Sequence, residues 1–512
     1  MSIHKSVAKS AGVIGAGTLL SRILGLVRDI VIARLFGVYV YAQAFVIAFR
    51  IPNLFRDLVG EGAANAALVP VFSEYRVKHT REDFWELANV VLNLLLVILM
   101  AITVLGIIFS PAIVRLIAPG FISDPEKLAI TIRLNRIIFP YILLISLAAY
   151  STALLNSLKH FSVPAFAPCL LNISIIIFAL IFGEGIKGLA LGVLVGGILQ
   201  LLVQIPVLYK KGFRFKFSKS FNHPGAKQIG RLMLPRMASS GIYQLNNFAD
   251  SIFGSLALIV GEGGVAVLYF SYRLIQFPIG IFTNALSQAI LPTFSTQALE
   301  ETHHNLKKSL SWGMRATFFV MLPSSAAFIV LSFSLIDTLF GGGRFDLYSA
   351  QVTASALAYY SIGLTAYGGI KILQSCFFAL KDTVTPAKTA FLSLVLNVIF
   401  CLVLMFPMKI SGLALATSLS GTVTFIVLFS ILNKRLKDFN VAEVSRSFIK
   451  ILLASVGMGL VCYFTAQLTP NKYLSLGISI IAGAVSYIVF CFIFRVHEMR
   501  ELLEWALRRD NV

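Results

Sequence analysis

The chain has 512 residues, 57% of them hydrophobic and 13% charged, with a formal charge of +20 and a mean hydropathy of +0.85. Soluble domains carry about 25% charged residues, so a soluble enzyme or binding module is excluded. The cations are scattered between apolar stretches and build no basic domain, which argues against nucleic acid as a partner and makes basic membrane-flanking loops the main source of the charge.

In chain order, the apolar stretches predict an all-α polytopic membrane protein of about fourteen transmembrane helices. They fall at 9–36, 41–71, 87–110, 128–156, 163–183, 187–208, 229–259, 264–295, 309–335, 350–379, 387–407, 411–432, 447–467 and 473–495. Each reaches the roughly 20 residues that a spanning helix needs. Helix is the state that satisfies every backbone group in lipid, and the alternation of a barrel is absent. The first stretch contains Arg22 and Arg28 and has no small-residue cleavage site, so it reads as a retained helix. Loops after even-numbered spans hold Arg76, Lys78, Arg81, Lys159, Lys210, Lys211, Lys307, Lys308, Lys381, Lys434 and Arg435. Loops after odd-numbered spans hold fewer cations: Arg115, Lys127, Lys187, Arg344, Lys409 and Lys472. That bias places both termini in the cytoplasm. The tail after Arg495 sets Leu503 and Trp505 against Arg508 and Arg509, and reads as an amphipathic segment on the membrane surface or in solvent. Cys169, Cys376, Cys401, Cys462 and Cys491 all sit in apolar runs without a CxxC, as packing residues do.

The chain repeats itself. Ala67-Leu-Val-Pro70-Val-Phe72-Ser73 returns as Ala289-Ile-Leu-Pro292-Thr-Phe294-Ser295, 222 residues later. Leu158-Lys159 with Pro164-Ala165 returns as Leu380-Lys381 with Pro386-Ala387, and Gly188-Leu-Ala-Leu191 as Gly412-Leu-Ala-Leu415. Three matches in order at nearly one offset indicate a duplication. The offset covers an even number of spans, so the repeats run parallel, as two six-helix bundles plus two C-terminal helices. The expected organisation is an N-terminal bundle at 1–208, a basic cytoplasmic linker at 209–228, a C-terminal bundle at 229–433, two further helices at 434–495 and the tail at 496–512. Transporters of this kind place substrate at the interface between repeats.

Ionisable residues inside spans are the informative ones, because a mid-membrane charge costs at least about 2.5–3.5 kcal/mol and needs a partner or water. The first span sets Arg22, Gly25 and Asp29 on one stripe, with Arg28 pointing to a different side. The second sets Arg50, Asn53, Asp57 and Glu61 on one stripe, with Arg56 at its edge and a kinking Pro52. The eighth carries Arg273, Gln276, Asn284 and Ser287, with Pro278 among them. Arg50 and Arg273, Asn53 and Gln276, and Glu61 and Asn284 are each 223 apart, so the two stripes are copies that should line a cavity from both sides. Ion pairing of Arg22 or Arg28 with Asp29, and of Arg50 or Arg56 with Asp57 or Glu61, accounts for part of the set. Arg34, Arg133, Arg231 and Arg236 can snorkel at span ends. Arginine still exceeds acid, and a positive cavity suits a diphosphate, whose oxygens the guanidinium fork binds two at a time.

No catalytic or metal-binding constellation is visible: there is no HExxH, P-loop or GxSxG, and Gly341-Gly-Gly343 reads as a turn. Without a nucleotide site or other cofactor, energy must come from an ion gradient, the membrane potential or consumption of the product.

Ser21-Arg-Ile-Leu-Gly25-Leu-Val-Arg28-Asp29, Ile51-Pro-Asn53-Leu-Phe-Arg56, Glu61-Gly62, Val69-Pro70-Val-Phe72 and Tyr272-Arg273-Leu-Ile-Gln276-Phe-Pro278 resemble the MurJ/MviN family of the multidrug/oligosaccharidyl-lipid/polysaccharide exporter superfamily. The resemblance runs from about residue 10 through the last span. It implies a lipid II flippase of the bacterial inner membrane that works by alternating access on an anionic polyprenyl-diphosphate glycopeptide. It also implies that Arg22, Arg28, Arg56 and Arg273 hold the diphosphate, with Asp29 and Glu61 as the family's acids. Asp250, Asn397 and Thr417 match part of a sodium site described in some members, although Cys401 stands where an acid is expected. Gln43 and Tyr272 also replace acids of Gram-negative members, which leaves the site here more positive. The competing readings are a flippase for another polyprenyl-linked glycan, a cation-coupled multidrug exporter, which the arginine excess opposes, and an anion channel.

Overall fold

Local chemistry sets the helix ends. In the computed structural model, which describes residues 3–55, 65–183, 185–217 and 222–499, the Thr80 hydroxyl accepts from the Asp83 amide at 3.1 Å while Asp83 accepts from the Thr80 amide at 3.2 Å. This reciprocal cap starts one of the long apolar helices. Asp124, Asp346 and Asn471 cap other helices through the same kind of side-chain bond.

The chain divides into two compact units, Met1–Ala257 and Leu258–Val512. The first holds α1 (Ile3–Phe36), α2 (Val40–Phe55), α3 (Asn65–Lys78), α4 (Arg81–Ile108), α5 (Ser110–Ile117), a 3-10 turn at Pro119–Ser123, α6 (Pro125–Ile138), α7 (Tyr141–Ser157), α8 (Ser162–Phe182), α9 (Ile186–Leu202), α10 (Ile205–Lys211) and α11 (Pro224–Ser255). The single turn α12 (Ala257–Val260) follows. The second unit holds α13 (Gly264–Pro278), a π-helical turn at Ile279–Thr283, α14 (Asn284–Gln297), α15 (His304–Val330), α16 (Ser332–Leu339), α17 (Leu347–Ile362), α18 (Leu364–Ala379), α19 (Val384–Leu436), α20 (Val441–Thr465) and α21 (Lys472–Ile493).

Helix occupies every stretch that the sequence marks, within the described residues. Nine helical stretches there are long and apolar enough to cross a membrane. Some stretches are interrupted, within the nine and outside them: α6 gives way to α7 at Phe139–Pro140, and α17 to α18 at Gly363. Lys409, with φ 53° and ψ −132°, breaks α19 between the stretches 387–407 and 411–432. Large apolar side chains are exposed along these helices, among them Val97, Leu105 and Ile108 on α4, Val403 and Phe406 on α19, and Ile481 and Val485 on α21. Such a surface requires lipid.

Each unit has its own core. In the first, Phe72 meets Phe84 and Tyr150 edge-on, and the Tyr150 hydroxyl donates to the Ala88 carbonyl at 2.7 Å. In the second, Phe294, Met314, Phe318, Leu428 and Phe439 pack together. All five cysteines are buried and none is in a disulfide, as expected of packing residues.

The duplication is written into the backbone. Lys159 and Lys381 both adopt φ 59°. Their turns close through the same bonds, His160 amide to Leu155 carbonyl and Asp382 amide to Phe377 carbonyl, each at 2.9 Å. Arg81 reaches the Lys211 carbonyl at 3.4 Å, and Lys307 reaches the Lys437 carbonyl at 3.4 Å, both across 130 residues.

The two helices that the duplication leaves over are bolted to the second unit. α20 packs on α15 and α21. Lys472 pairs with Asp337 at 3.2 Å, and the Tyr487 hydroxyl donates to the Phe319 carbonyl at 2.7 Å. The start of the tail behaves differently from the surface or solvated segment expected. Val496, Glu498 and Met499 are buried, because Glu498 accepts from Arg315 at 2.9 Å and from the Ser447 hydroxyl at 2.8 Å. Leu503, Trp505, Arg508 and Arg509 lie outside the described residues.

Candidate functional site

In the first unit the site grows from the packing of α1 on α8. Gly17 makes the approach possible: a Cβ there would stand 2.5 Å from the Ala165 carbonyl oxygen. One turn further on, Asn172 of α8 donates to the Ser21 carbonyl at 3.1 Å and accepts from Arg28 Nη1 at 3.1 Å. Arg28 Nε and Nη2 donate to Asp29 Oδ1 at 2.9 and 2.7 Å, and the guanidinium lies 5.8 Å from the Phe49 ring centroid. Arg28 is 5% exposed and Asp29 0%.

This is the Arg28–Asp29 ion pair that the sequence offers as one alternative, although the helical wheel sends the two side chains to different sides of α1. Adjacent residues leave a helix about 100° apart, but the long arginine stem brings the guanidinium back onto the neighbouring carboxylate. Arg22 is half-buried on the same helix, and Arg34 near its end is exposed. On α2, Arg50 is half-buried and donates to the hydroxyl of Ser251 of α11, next to the half-buried Asp250. Asn53 is half-buried, Pro52 lies inside α2, and Gln43 is 1% exposed. Arg56, Asp57 and Glu61 lie outside the described residues.

In the second unit Arg273 is half-buried on α13, and Gln276, one turn on, is exposed. Tyr272 tilts against Tyr360 with ring centroids 5.3 Å apart. The π-helical turn after Pro278 separates this pair from the half-buried Asn284 and Ser287. Such turns are frequent at functional sites. Elsewhere in this unit, Asn397 Oδ1 accepts from Thr417 Oγ1 at 3.3 Å and lies 3.7 Å from Cys401 Sγ. Among the described residues no group of three or more His, Cys, Asp and Glu side chains could hold a metal.

Sequence reasoning passed over two cations in this unit. Arg315 on α15 is 7% exposed, bonded to Glu498 and 3.4 Å from Glu443. The signal was present, since a lone arginine in an apolar span demands an acid, but that acid lies 183 residues away. Lys371 stands in the middle of α18 with an exposed side chain, and no described residue accepts from its ammonium. Its signal was the charge itself, the single one in the stretch 350–379.

A family model described as lipid II flippase MurJ matches residues 32–482. A probable lipid II flippase MurJ of Buchnera aphidicola subsp. Acyrthosiphon pisum is 36% identical over 449 residues, 86% of each chain. The lipid II flippase MurJ of Burkholderia cenocepacia is 34% identical over 452 residues, covering 87% of this chain and 86% of the relative. Among solved structures, a lipid II flippase MurJ in an inward closed conformation superposes with a TM-score of 0.81 at 28% identity, over 96% of this chain and 99% of the other. An inward-facing multidrug resistance MATE family transporter matches with a TM-score of 0.66 at 18% identity, over 81% and 94%, which speaks to the fold alone.

Proposed function

This chain belongs to the lipid II flippase MurJ family, and from that premise we propose that it carries lipid II, the undecaprenyl-diphosphate-linked peptidoglycan precursor, from the cytoplasmic to the outer leaflet of a bacterial inner membrane by alternating access. The family match over residues 32–482 carries the reading, and the charge pattern says how it works. Arg22, Arg50 and Arg273 are half-buried guanidinium groups, suited to gripping diphosphate oxygens in pairs. Asn53 on α2 and Gln276 on α13 add neutral donors within their own units, and the family resemblance adds Arg56 and Glu61, which lie outside the described residues. Arg28 is engaged by Asp29 and Asn172, so it reaches a diphosphate only when Asp29 releases it. That exchange makes the pair a sensor of substrate.

Both termini face the cytoplasm, as the loop cations indicate. The two duplicated bundles are the moving parts, and the helices at 434–495 brace the second. Energy comes from the membrane potential or a sodium gradient. Asn397 and Thr417 of the second unit offer hard oxygen donors for such a cation, while the soft Cys401 thiol does not fit that role.

The test is the leaflet distribution of lipid II in cells depleted of their own flippase and supplied with this chain. Wild type restores outward lipid II and growth. Arg273→Ala and Arg22→Ala insert normally but restore neither. Full growth of both variants refutes the reading.

A further inference from the structure

Among the described residues Lys371 meets no counter-ion, and its place in an apolar stretch says what it can meet. α14 and α18 pack side by side in the same direction. Gly368 lies against Thr283, and the Ser375 hydroxyl donates to the Ser287 carbonyl at 3.4 Å. Lys371 falls between these contacts, level with the residues that follow Asn284. Arg273 precedes that level by about eleven residues of helical chain, which at about 1.5 Å per residue places the two backbone positions roughly 15 Å apart along the second unit. Buried Gln374 and Ser375 and half-buried Tyr367 flank Lys371 on α18. An ionisable residue at such a depth faces a wet cavity rather than lipid and marks a substrate path.

We propose that the Lys371 ammonium is a second anion site, which takes a carboxylate of the substrate's peptide stem while arginine holds the diphosphate. The proposal rests on the lipid II reading. That backbone separation is longer than a diphosphate, so a diphosphate held close to Arg273 leaves Lys371 for another group, and a glycopeptide attached to it spans such a distance. The side chains agree: arginine's planar fork fits a phosphate edge, and a lysine ammonium is a compact point charge suited to a single carboxylate.

Binding of three probes to the full chain in nanodiscs tests this: lipid II with free stem carboxylates, lipid II with those carboxylates amidated, and undecaprenyl diphosphate alone. One lost charge-assisted contact corresponds to about tenfold in affinity. Lys371→Gln is expected to weaken lipid II about tenfold and to leave the amidated probe and undecaprenyl diphosphate unchanged, while Lys371→Arg retains most of the affinity. Arg273→Gln weakens all three. An equal loss of undecaprenyl diphosphate in Lys371→Gln would make the residue a phosphate contact and overturn the proposal, as would undiminished binding of lipid II. A wild-type chain that binds none of the three ends the lipid II reading itself, and the proposal with it.

Discussion

Replacing Glu498 with alanine should cost the second unit more stability than any single apolar truncation at its surface. The carboxylate side chain is 6% exposed and Arg315 8%, and they meet at 2.9 Å. Ser447 adds a hydroxyl at 2.8 Å, and Glu443, 50% exposed, lies 3.4 Å from Arg315. Deleting one member of a buried ion pair leaves the other desolvated, at about 3–5 kcal/mol. Glu443 remains as a partly solvated substitute, which pulls the expectation to the lower end, about 3 kcal/mol. For a unit of this size each kcal/mol is worth roughly 2–4 °C, so the melting midpoint should fall by about 6–12 °C. The assay is thermal unfolding of the detergent-solubilised chain, compared with the double variant Arg315→Met, Glu498→Leu. Since an apolar pair of similar volume can replace a buried ion pair at little cost, the double variant should recover most of the loss. A Glu498→Ala chain that melts with wild type, or a double variant as weak as the single, would refute the assignment of this pair as the tail's anchor.

Three further outcomes follow from packing, hydrogen bonding and charge. Gly17→Val should destabilise by about 1–3 kcal/mol, read as a lower melting midpoint, because its Cβ would stand 2.5 Å from the Ala165 carbonyl oxygen. Asn172→Leu should remove the bonds to Arg28 and the Ser21 carbonyl, and cysteine-reactivity mapping along α1 should show that helix loosened. Asp382 accepts from the Thr385 amide and then from its hydroxyl and Arg435, which together hold its carboxyl below the usual carboxylate range. A depressed folded value means that this stabilisation is present above the unfolded pKa and is lost as pH falls through the folded one. Asp382→Asn should therefore destabilise at pH 7, by about 1 kcal/mol as a helix-start contact, and have little effect once the pH drops below that folded value.

What the sequence made legible is what periodicity and repetition encode. Apolar length marked the helices, the residues around Leu158–Lys159 and Leu380–Lys381 announced turns that coincide in the backbone, and the cysteines in apolar runs are all buried. What stayed hidden is which charge meets which. A helical wheel gives the direction of a Cβ, while an arginine reaches well beyond it, so periodicity left Arg22 and Arg28 as alternative partners of Asp29 and only the structure shows the Arg28–Asp29 pair. Arg315 found its acid 183 residues away in a tail that composition alone assigned to the surface. Span 41–71 appeared as one helix with a kink; its described parts are α2 and α3, and its key residues Arg56 and Glu61 fall between them.

The duplicated units also show how one structural position can be reused with different chemistry. The contacts Arg81–Lys211 and Lys307–Lys437 set an offset of 226 between the units, and at that offset Arg315 corresponds to Asn89. Asn89 Nδ2 donates to the Arg214 carbonyl at 3.0 Å, and its Oδ1 accepts from the Lys216 amide at 2.7 Å. In both units, then, this site ties down the segment that follows the last helix of the repeat. The first unit reads backbone through an amide; the second reads the carboxylates of Glu443 and Glu498 through a guanidinium. An amide suffices where the segment ends at solvent, whereas a charge is needed to hold two added helices and a tail. Asn89→Ala should therefore release only the segment 213–217. Losing two bonds at about 1 kcal/mol each should speed hydrogen exchange at the Lys216 amide by more than tenfold, with little change at the Ala88 amide, which lies inside α4. Unchanged exchange at Lys216 would mean that the segment is fixed by other contacts, and the equivalence of the two anchors would fail.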